Sequence, residues 1–287
     1  MVKVLVTGAT GNVGTHVVSE LRARGAQVRA FVRDAGKAAS PAGDGVEVAV
    51  GDFEDAASLR NAVEGVDLVF VTSADGPRKV EHENAIIDAA AAAPVRFIVK
   101  LSALGAATDA TLGFSRWHGL IEEHLRASGK PWVVLRAGYF MTNLLASAEA
   151  VRQTGKLFAP ADDAKIAMID PRDVAATAAA VLTGRGNEGR GYLLTGPEAI
   201  TYAEVAAYLS AATGRDIEFV DVSDDAARSA LSDSGAPPWL VDNLIILYGL
   251  LRQGFAEPVT HTVEALTGRY PRTFAEFARD HAALFRT

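Results

Sequence analysis

The chain contains no cysteine, which excludes disulfides, thiolate metal sites and cysteine nucleophiles at once. Histidine is sparse, six in all, and no two stand at the helical spacing of a zinc site, so no metal is expected. Basic residues are in deficit: 28 Lys and Arg face 35 Asp and Glu, for a net charge of −7. Phosphate backbones are bound by clustered cations, so this balance argues against non-specific nucleic-acid binding. Long apolar runs are missing too. The stretches Val174–Leu182 and Trp239–Leu251 are too short or too interrupted to span a bilayer. No leader of basic, apolar and small-residue zones precedes the first apolar segment at residue 2, so a cytoplasmic location is expected. What is present is a chain of 287 residues, 49% hydrophobic, enough for one large core with or without an added lobe.

The first fourteen residues, MVKVLVTGATGNVG, carry the most information. A short apolar strand, Val2 to Val6, runs into Gly8-x-x-Gly11-x-x-Gly14, and a helical pattern starts at Asn12. Glycines let a backbone approach a pyrophosphate, and the N–H groups of a helix's first turn point at it. Gly8, Thr10, Gly11, Asn12, Val13 and Gly14 are therefore candidate dinucleotide contacts. Downstream, apolar strands are predicted at Gln27–Val32, Val46–Val50, Leu68–Thr72, Arg96–Leu101 and Trp132–Arg136, alternating with helical patterns. That alternation predicts an α/β fold, a Rossmann-type doubly wound parallel sheet with its ligand crevice at the strands' carboxyl ends. The rhythm breaks near residue 155. Residues 1–155 are read as the dinucleotide-binding domain, and 156–287 mostly as a smaller carboxyl-terminal lobe, with some segments returning to the first domain. Gly155 to Asp163 reads as a loop, and Thr201 with Glu204 as a capping box opening a helix.

The end of the second strand distinguishes the two nicotinamide dinucleotides. NAD-selective enzymes place a carboxylate there to accept the ribose 2′-hydroxyl. This chain has Phe31-Val32-Arg33, with Lys37 four residues on. A guanidinium forks onto the 2′-phosphate of NADP, whereas a carboxylate repels it. Asp34 argues the other way, but a continuing extended strand would point it to the opposite side. NADP(H) is the expected cofactor, with NAD(H) open. Asp52 and Phe53, after the third strand, are candidates for the adenine amino group and ring. Thr72-Ser73-Ala74, after the fourth, suits a stretch under the ribose and pyrophosphate.

Thr7–Gly14, Gly51-Asp52, Leu101-Ser102-Ala103, Leu135-Arg136 with Phe140-Met141-x-Asn143, and Asp170-x-x-Asp173-Val174 occur in order. Leu194–Glu198 and Pro271–Phe274 follow. Together they resemble the NmrA-like branch of atypical short-chain dehydrogenases, over nearly the whole chain. The resemblance implies a Rossmann domain, a smaller lobe and a nicotinamide cofactor, NADPH in many members. It does not imply a reaction, because the branch holds quinone, azo-dye and triphenylmethane-dye reductases as well as sensors that bind the cofactor without turning it over.

One further absence bears on chemistry. Short-chain dehydrogenases pair a tyrosine with a lysine four residues on, which lowers the tyrosine pKa. Four residues after the six tyrosines stand Asn143, Gly196, Ala206, Ala212, Arg252 and Phe274. Where that helix should begin, His118 is followed by Glu122 at a spacing that lets the two face each other. His118 is the candidate proton-donating group, held by Glu122 or merely ion-paired with it at the surface. Lys100 ends the fifth strand and either reaches the site or meets solvent; Ser102 is placed to contact ribose or nicotinamide. Without an acid–base pair, alcohol–ketone exchange is poorly served. Hydride transfer to a quinone or cationic dye relies mainly on holding the reactants together, worth roughly 7–11 kcal/mol. Tyr139, Phe140, Met141, Trp239, Leu244 and Tyr248 are candidate apolar walls for such a small aromatic substrate, with Tyr139 and Phe140 also candidates for the cofactor. A redox sensor presenting its lobe to a protein partner, and a tailoring reductase of an aromatic metabolite, are the alternatives. Monomer and homodimer stay open.

Overall fold

The computed structural model describes residues 2–34, 36 and 45–286; Lys37 lies outside them. The chain forms two compact units. The first comprises Met1–Ala137, Pro171–Leu193 and Ala265–Gly268. Its strands are β1 (Lys3–Val6), β2 (Gln27–Val32), β3 (Val46–Val50), β4 (Leu68–Val71), β5 (Phe97–Ala103), β6 (Trp132–Ala137) and β8 (Arg190–Leu194), in the order β3-β2-β1-β4-β5-β6-β8. Every pairing among β1 to β6 is parallel, with Leu5 beside Arg29 and Val69, and Lys100 beside Val71 and Val134. Both faces of a parallel sheet are covered, which is why β4 is buried at all four residues. Helices α2 (Ala56–Val63), α3 (Lys79–Ala92) and α4 (Gly113–Ala127) cover one face, packing Leu59, Ile86 and Ile121 onto Leu5, Val69, Ile98 and Val134. Helix α1 (Gly14–Ala23) packs with α6 (Pro171–Thr183), which contacts β4, β5 and β6. The strand order reverses between β1 and β4, so the crevice opens outside their carboxyl ends.

The second unit comprises Gly138–Asp170, Leu194–Glu264 and Arg269–Thr287. Residues 155–163 do not form the simple loop that the sequence suggests. Lys156–Ala159 forms β7 and pairs in parallel with β9, Glu218–Asp221. Each strand has only four residues, too few for a period of two to stand out, and the partners lie some sixty residues apart. Helix α7 (Tyr202–Thr213) has the expected capping box, with Thr201 accepting from the Glu204 backbone and Glu204 from the Thr201 backbone. Helix α9 (Pro238–Leu251) carries Trp239, Leu244 and Tyr248. Among the described residues no helix is long and apolar enough to cross a membrane.

Candidate active site

The glycines after β1 do different jobs. Gly8 sits at φ +57°, and a Cβ there would meet Thr72 Cγ2 at 2.8 Å. A Cβ on Gly14 would lie 2.1 Å from the Gly8 carbonyl oxygen. Both are required by backbone packing. Gly11 is exposed, and a Cβ there would meet only Gly8 O, at 3.2 Å. No side chain caps α1 and its first turn holds no acidic residue, so that end of the helix keeps its affinity for an anion. Thr10 and Asn12 are exposed beside Gly11, and Val13 is buried. Thr7 ties β1 to β4: its hydroxyl donates to Thr72 O at 2.7 Å and accepts from Thr72 N at 2.9 Å. The turn thus leaves Gly11 and the uncapped start of α1 open, a place that could hold an anionic group of a cofactor.

Arg33 is exposed just beyond β2. The neighbouring Asp34 folds back, its Oδ1 accepting from Gly36 N at 2.8 Å. Among the described residues, Arg33 is an exposed cation at this strand end. Asp52 Oδ1 accepts from Glu54 N at 2.9 Å, and Phe53 stacks on His82 and meets Phe31 edge-on. Removing the cation is expected to change cofactor preference. Arg33→Ala should weaken NADPH binding about tenfold or more, since a charge-assisted hydrogen bond contributes about 1.5–3 kcal/mol, and leave NADH nearly unchanged. Titrating both cofactors by nicotinamide fluorescence checks this; equal losses would make Arg33 structural.

Beside the carboxyl end of β4 and the middle of β5, four ionisable groups lie in one buried network. Glu83 on α3 is fully buried. Its Oε1 accepts from Ser73 N (3.0 Å) and Ser73 Oγ (2.9 Å) and lies in ionic contact with Lys79 Nζ at 2.8 Å. Lys100 Nζ is 2.6 Å from Glu83 Oε2, an ionic contact without hydrogen-bond geometry, and also donates to Leu101 O. The same Nζ lies 3.0 Å from His118 Nδ1. Burial would raise the Glu83 carboxyl, but the Lys100 and Lys79 ammonium groups overcome this and hold it at about 2. Burial lowers Lys100 to about 8, because Glu83 restores only part of the loss and Lys79 opposes it. Lys79 is itself raised, burial being outweighed by Glu83 and Asp75. His118 is pushed well below the usual imidazole range by burial and then by Lys100 and Lys79, so its ring is neutral. An ammonium can only donate, so Nδ1 must accept and the ring proton sits on Nε2.

This geometry corrects the pairing expected for His118 and decides between the two alternatives for Lys100. His118 is not held by Glu122, and Lys100 does not meet solvent: its side chain is fully buried. Glu122 is buried too, taken by Arg136 of β6 through Nε at 2.9 Å and Nη2 at 2.6 Å, and by Arg126 at 2.6 Å. Ser102 Oγ donates to Glu122 at 2.6 Å, so toward any ligand that hydroxyl can only accept. Arg136 and Ser102 bonds hold Glu122 below the usual carboxylate range, against burial. Sequence reasoning missed Lys79 and Glu83; their only signal was i,i+4 spacing at the start of a helix.

In the second unit, Tyr139 and Tyr248 meet through Tyr202, with hydroxyl separations of 3.0 and 3.4 Å. Burial pushes the Tyr139 and Tyr202 phenols up, so all their protons stay on at neutral pH. Tyr202 carried no sequence signal beyond its place in the helix. Phe140, Trp239 and Leu244 are half-buried, while Met141 is 1% exposed and belongs to the core.

The profile of the NmrA-like family matches residues 2–245. An NAD(P)H azoreductase of Xenophilus azovorans is 40% identical, covering 98% of this chain and 99% of its own length. A (4-alkanoyl-5-oxo-2,5-dihydrofuran-3-yl)methyl phosphate reductase of Streptomyces griseus is 41% identical, over 98% and 99% respectively. The crystal structure of an NADPH-dependent quinone oxidoreductase of Escherichia coli, complexed with NADPH, superposes with a TM-score of 0.89 at 32% identity. That match covers 96% of this chain and 99% of the other. With its strand–glycine–helix turn, its sheet order and these similarities, the chain belongs to the NmrA-like family.

Proposed function

We propose that this protein is an NADPH-dependent reductase acting on quinone-like or other flat conjugated acceptors. The observation that carries the reading is the group formed by His118 of α4 and Lys100 of β5: a neutral imidazole backed by an ammonium, where an alcohol dehydrogenase would need an activated tyrosine. Such a group suits an acceptor whose reduced form is a phenolate-like anion, far less basic than an alkoxide. The names of the azoreductase and quinone-oxidoreductase relatives support the same class. When bound, the reduced nicotinamide supplies hydride. Gly11 and its neighbours hold the pyrophosphate, Arg33 the 2′-phosphate, and Ser73 lies in the stretch under the ribose, clamped by Glu83 and Lys79. His118 offers Nε2–H to the acceptor.

The test is to mix protein with NADPH, follow nicotinamide absorbance, and screen quinones, azo dyes and triphenylmethane dyes. Turnover with at least one class supports the reading. Tight cofactor binding with no turnover would point to a sensor instead. His118→Ala is expected to slow reduction about tenfold, short of the roughly 100- to 10,000-fold typical of losing a general acid for a strongly basic product. Complete inactivity with cofactor affinity retained would mean that proton transfer limits the reaction.

A further inference from the structure

We infer that Lys100 is a positioning residue and proton reservoir for His118, re-protonating Nδ1 as Nε2 gives up its proton. The inference rests on the reductase reading above and names how that site is supplied with protons. Three observations carry it. Lys100 is fully buried, so its charge has no role at the surface. Its Nζ is 3.0 Å from Nδ1, which fixes the tautomer that places hydrogen on Nε2. Nε2 itself bonds to no other group among the described residues. The groups facing Lys100 are Glu83 and Lys79 from α3 and His118 and Glu122 from α4, with Asp75 beside Lys79 and Arg136 beside Glu122. Glu83 is the carboxylate that the two buried ammonium groups, Lys79 and Lys100, share.

The chemistry needs such a partner. A neutral imidazole is too weak an acid to surrender Nε2–H unless Nδ1 gains a proton in the same event. As the hydride-reduced acceptor, an oxyanion, takes the Nε2 proton, the N–H bond breaks and the O–H bond forms. Nδ1 then uses its lone pair to take a proton from Lys100 Nζ, which is left as a neutral amine beside Glu83. The ring returns by the reverse shuttle after Nε2 is protonated from water. The overall reaction consumes one acceptor, one NADPH and one solvent proton. Lys100 is poised for this: held at about 8, it stays charged at neutral pH, yet is a stronger acid than a phenol of ordinary pKa near 10. The same network reaches the cofactor stretch, because Glu83 accepts from Ser73 while it pairs with Lys100.

Two readouts test this. In protein without cofactor, nitrogen NMR of labelled histidine should show His118 with Nδ1 unprotonated and Nε2 protonated across neutral pH. In Lys100→Met that preference should be lost and the imidazole should titrate at higher pH, since the neighbouring cation is gone. In turnover with NADPH and a quinone, the wild-type rate should fall as pH rises through about 8. Lys100→Met should remove that limb and lower the neutral-pH rate about tenfold, and should add nothing in a His118→Ala background. Lys100→Arg keeps the charge and the donor but cannot release a proton, so it should restore the tautomer and not the rate. An Nδ1-protonated His118 in the wild type, or full activity in Lys100→Arg, would overturn the inference. A wild-type protein that reduces no acceptor would instead overturn the reductase reading, whatever the tautomer shows.

Discussion

Gly11→Val is expected to abolish NADPH binding while leaving the fold in place. Among the three glycines only Gly11 permits so clean a test. Gly8 stands in the left-handed region, and any side chain on Gly14 would run into the Gly8 carbonyl, so substitutions there damage the protein itself. Gly11 lacks positive φ, is exposed, and asks only for a slight shift of Gly8 O to accept a Cβ. The branched methyl groups would then occupy the volume that a pyrophosphate needs at the start of α1. Excluding the pyrophosphate removes several charge-assisted hydrogen bonds at about 1.5–3 kcal/mol each, so affinity should fall at least 100-fold. Calorimetric titration with NADPH measures the loss, and circular dichroism with a thermal melt checks the fold. Wild-type affinity in a folded variant would sink the assignment of this turn.

The largest expected effect on stability is at Glu83. Glu83→Gln leaves Lys79 and Lys100, with side chains 2% and 0% exposed, without their shared counter-charge. Breaking a buried ion pair from one side costs about 3–5 kcal/mol, a large part of the roughly 5–15 kcal/mol that holds a domain folded. The pH dependence follows from the same carboxyl. Its folded pKa of about 2 lies below the ordinary 4.5, so its contribution is fully present above about pH 4.5. It is lost as pH falls from there toward 2, and amounts to roughly 3 kcal/mol. Lys100 has the opposite sign. Its folded pKa of about 8 lies below 10.5, so it costs stability below pH 8 and the cost is relieved as pH rises between those values. Denaturant unfolding of wild type and Glu83→Gln at several pH values checks both slopes. A variant as stable as the wild type at pH 7, and equally sensitive to acid, would show that Glu83 does not hold the two lysines.

The first six strands, from Lys3 to Ala137, could be read from the chain within about two residues at each end. Each unit there is local: an apolar run, a turn, and a helix whose apolar face recurs at its own period. The strand–glycine–helix turn was legible for the same reason, since its residues are contiguous and its chemistry belongs to the backbone. The short pair β7 and β9 was not, because neither strand has a pattern of its own and only the pairing defines them. The chemistry around His118 lies furthest from the sequence. Spacing on α4 offers Glu122 as its partner, but a one-dimensional spacing ignores what neighbouring strands supply. Arg136 on β6 reaches Glu122 with two nitrogens, and Lys100 on β5 reaches His118, so each side chain turns to the strand cation nearest it. Sequence by itself determined the first six strands and the strand–glycine–helix turn, which follow from local periodicity and backbone geometry. Only the tertiary structure decided which charges share the low-dielectric interior, because ions out of reach of water must pair with whatever the packing brings within about 3 Å.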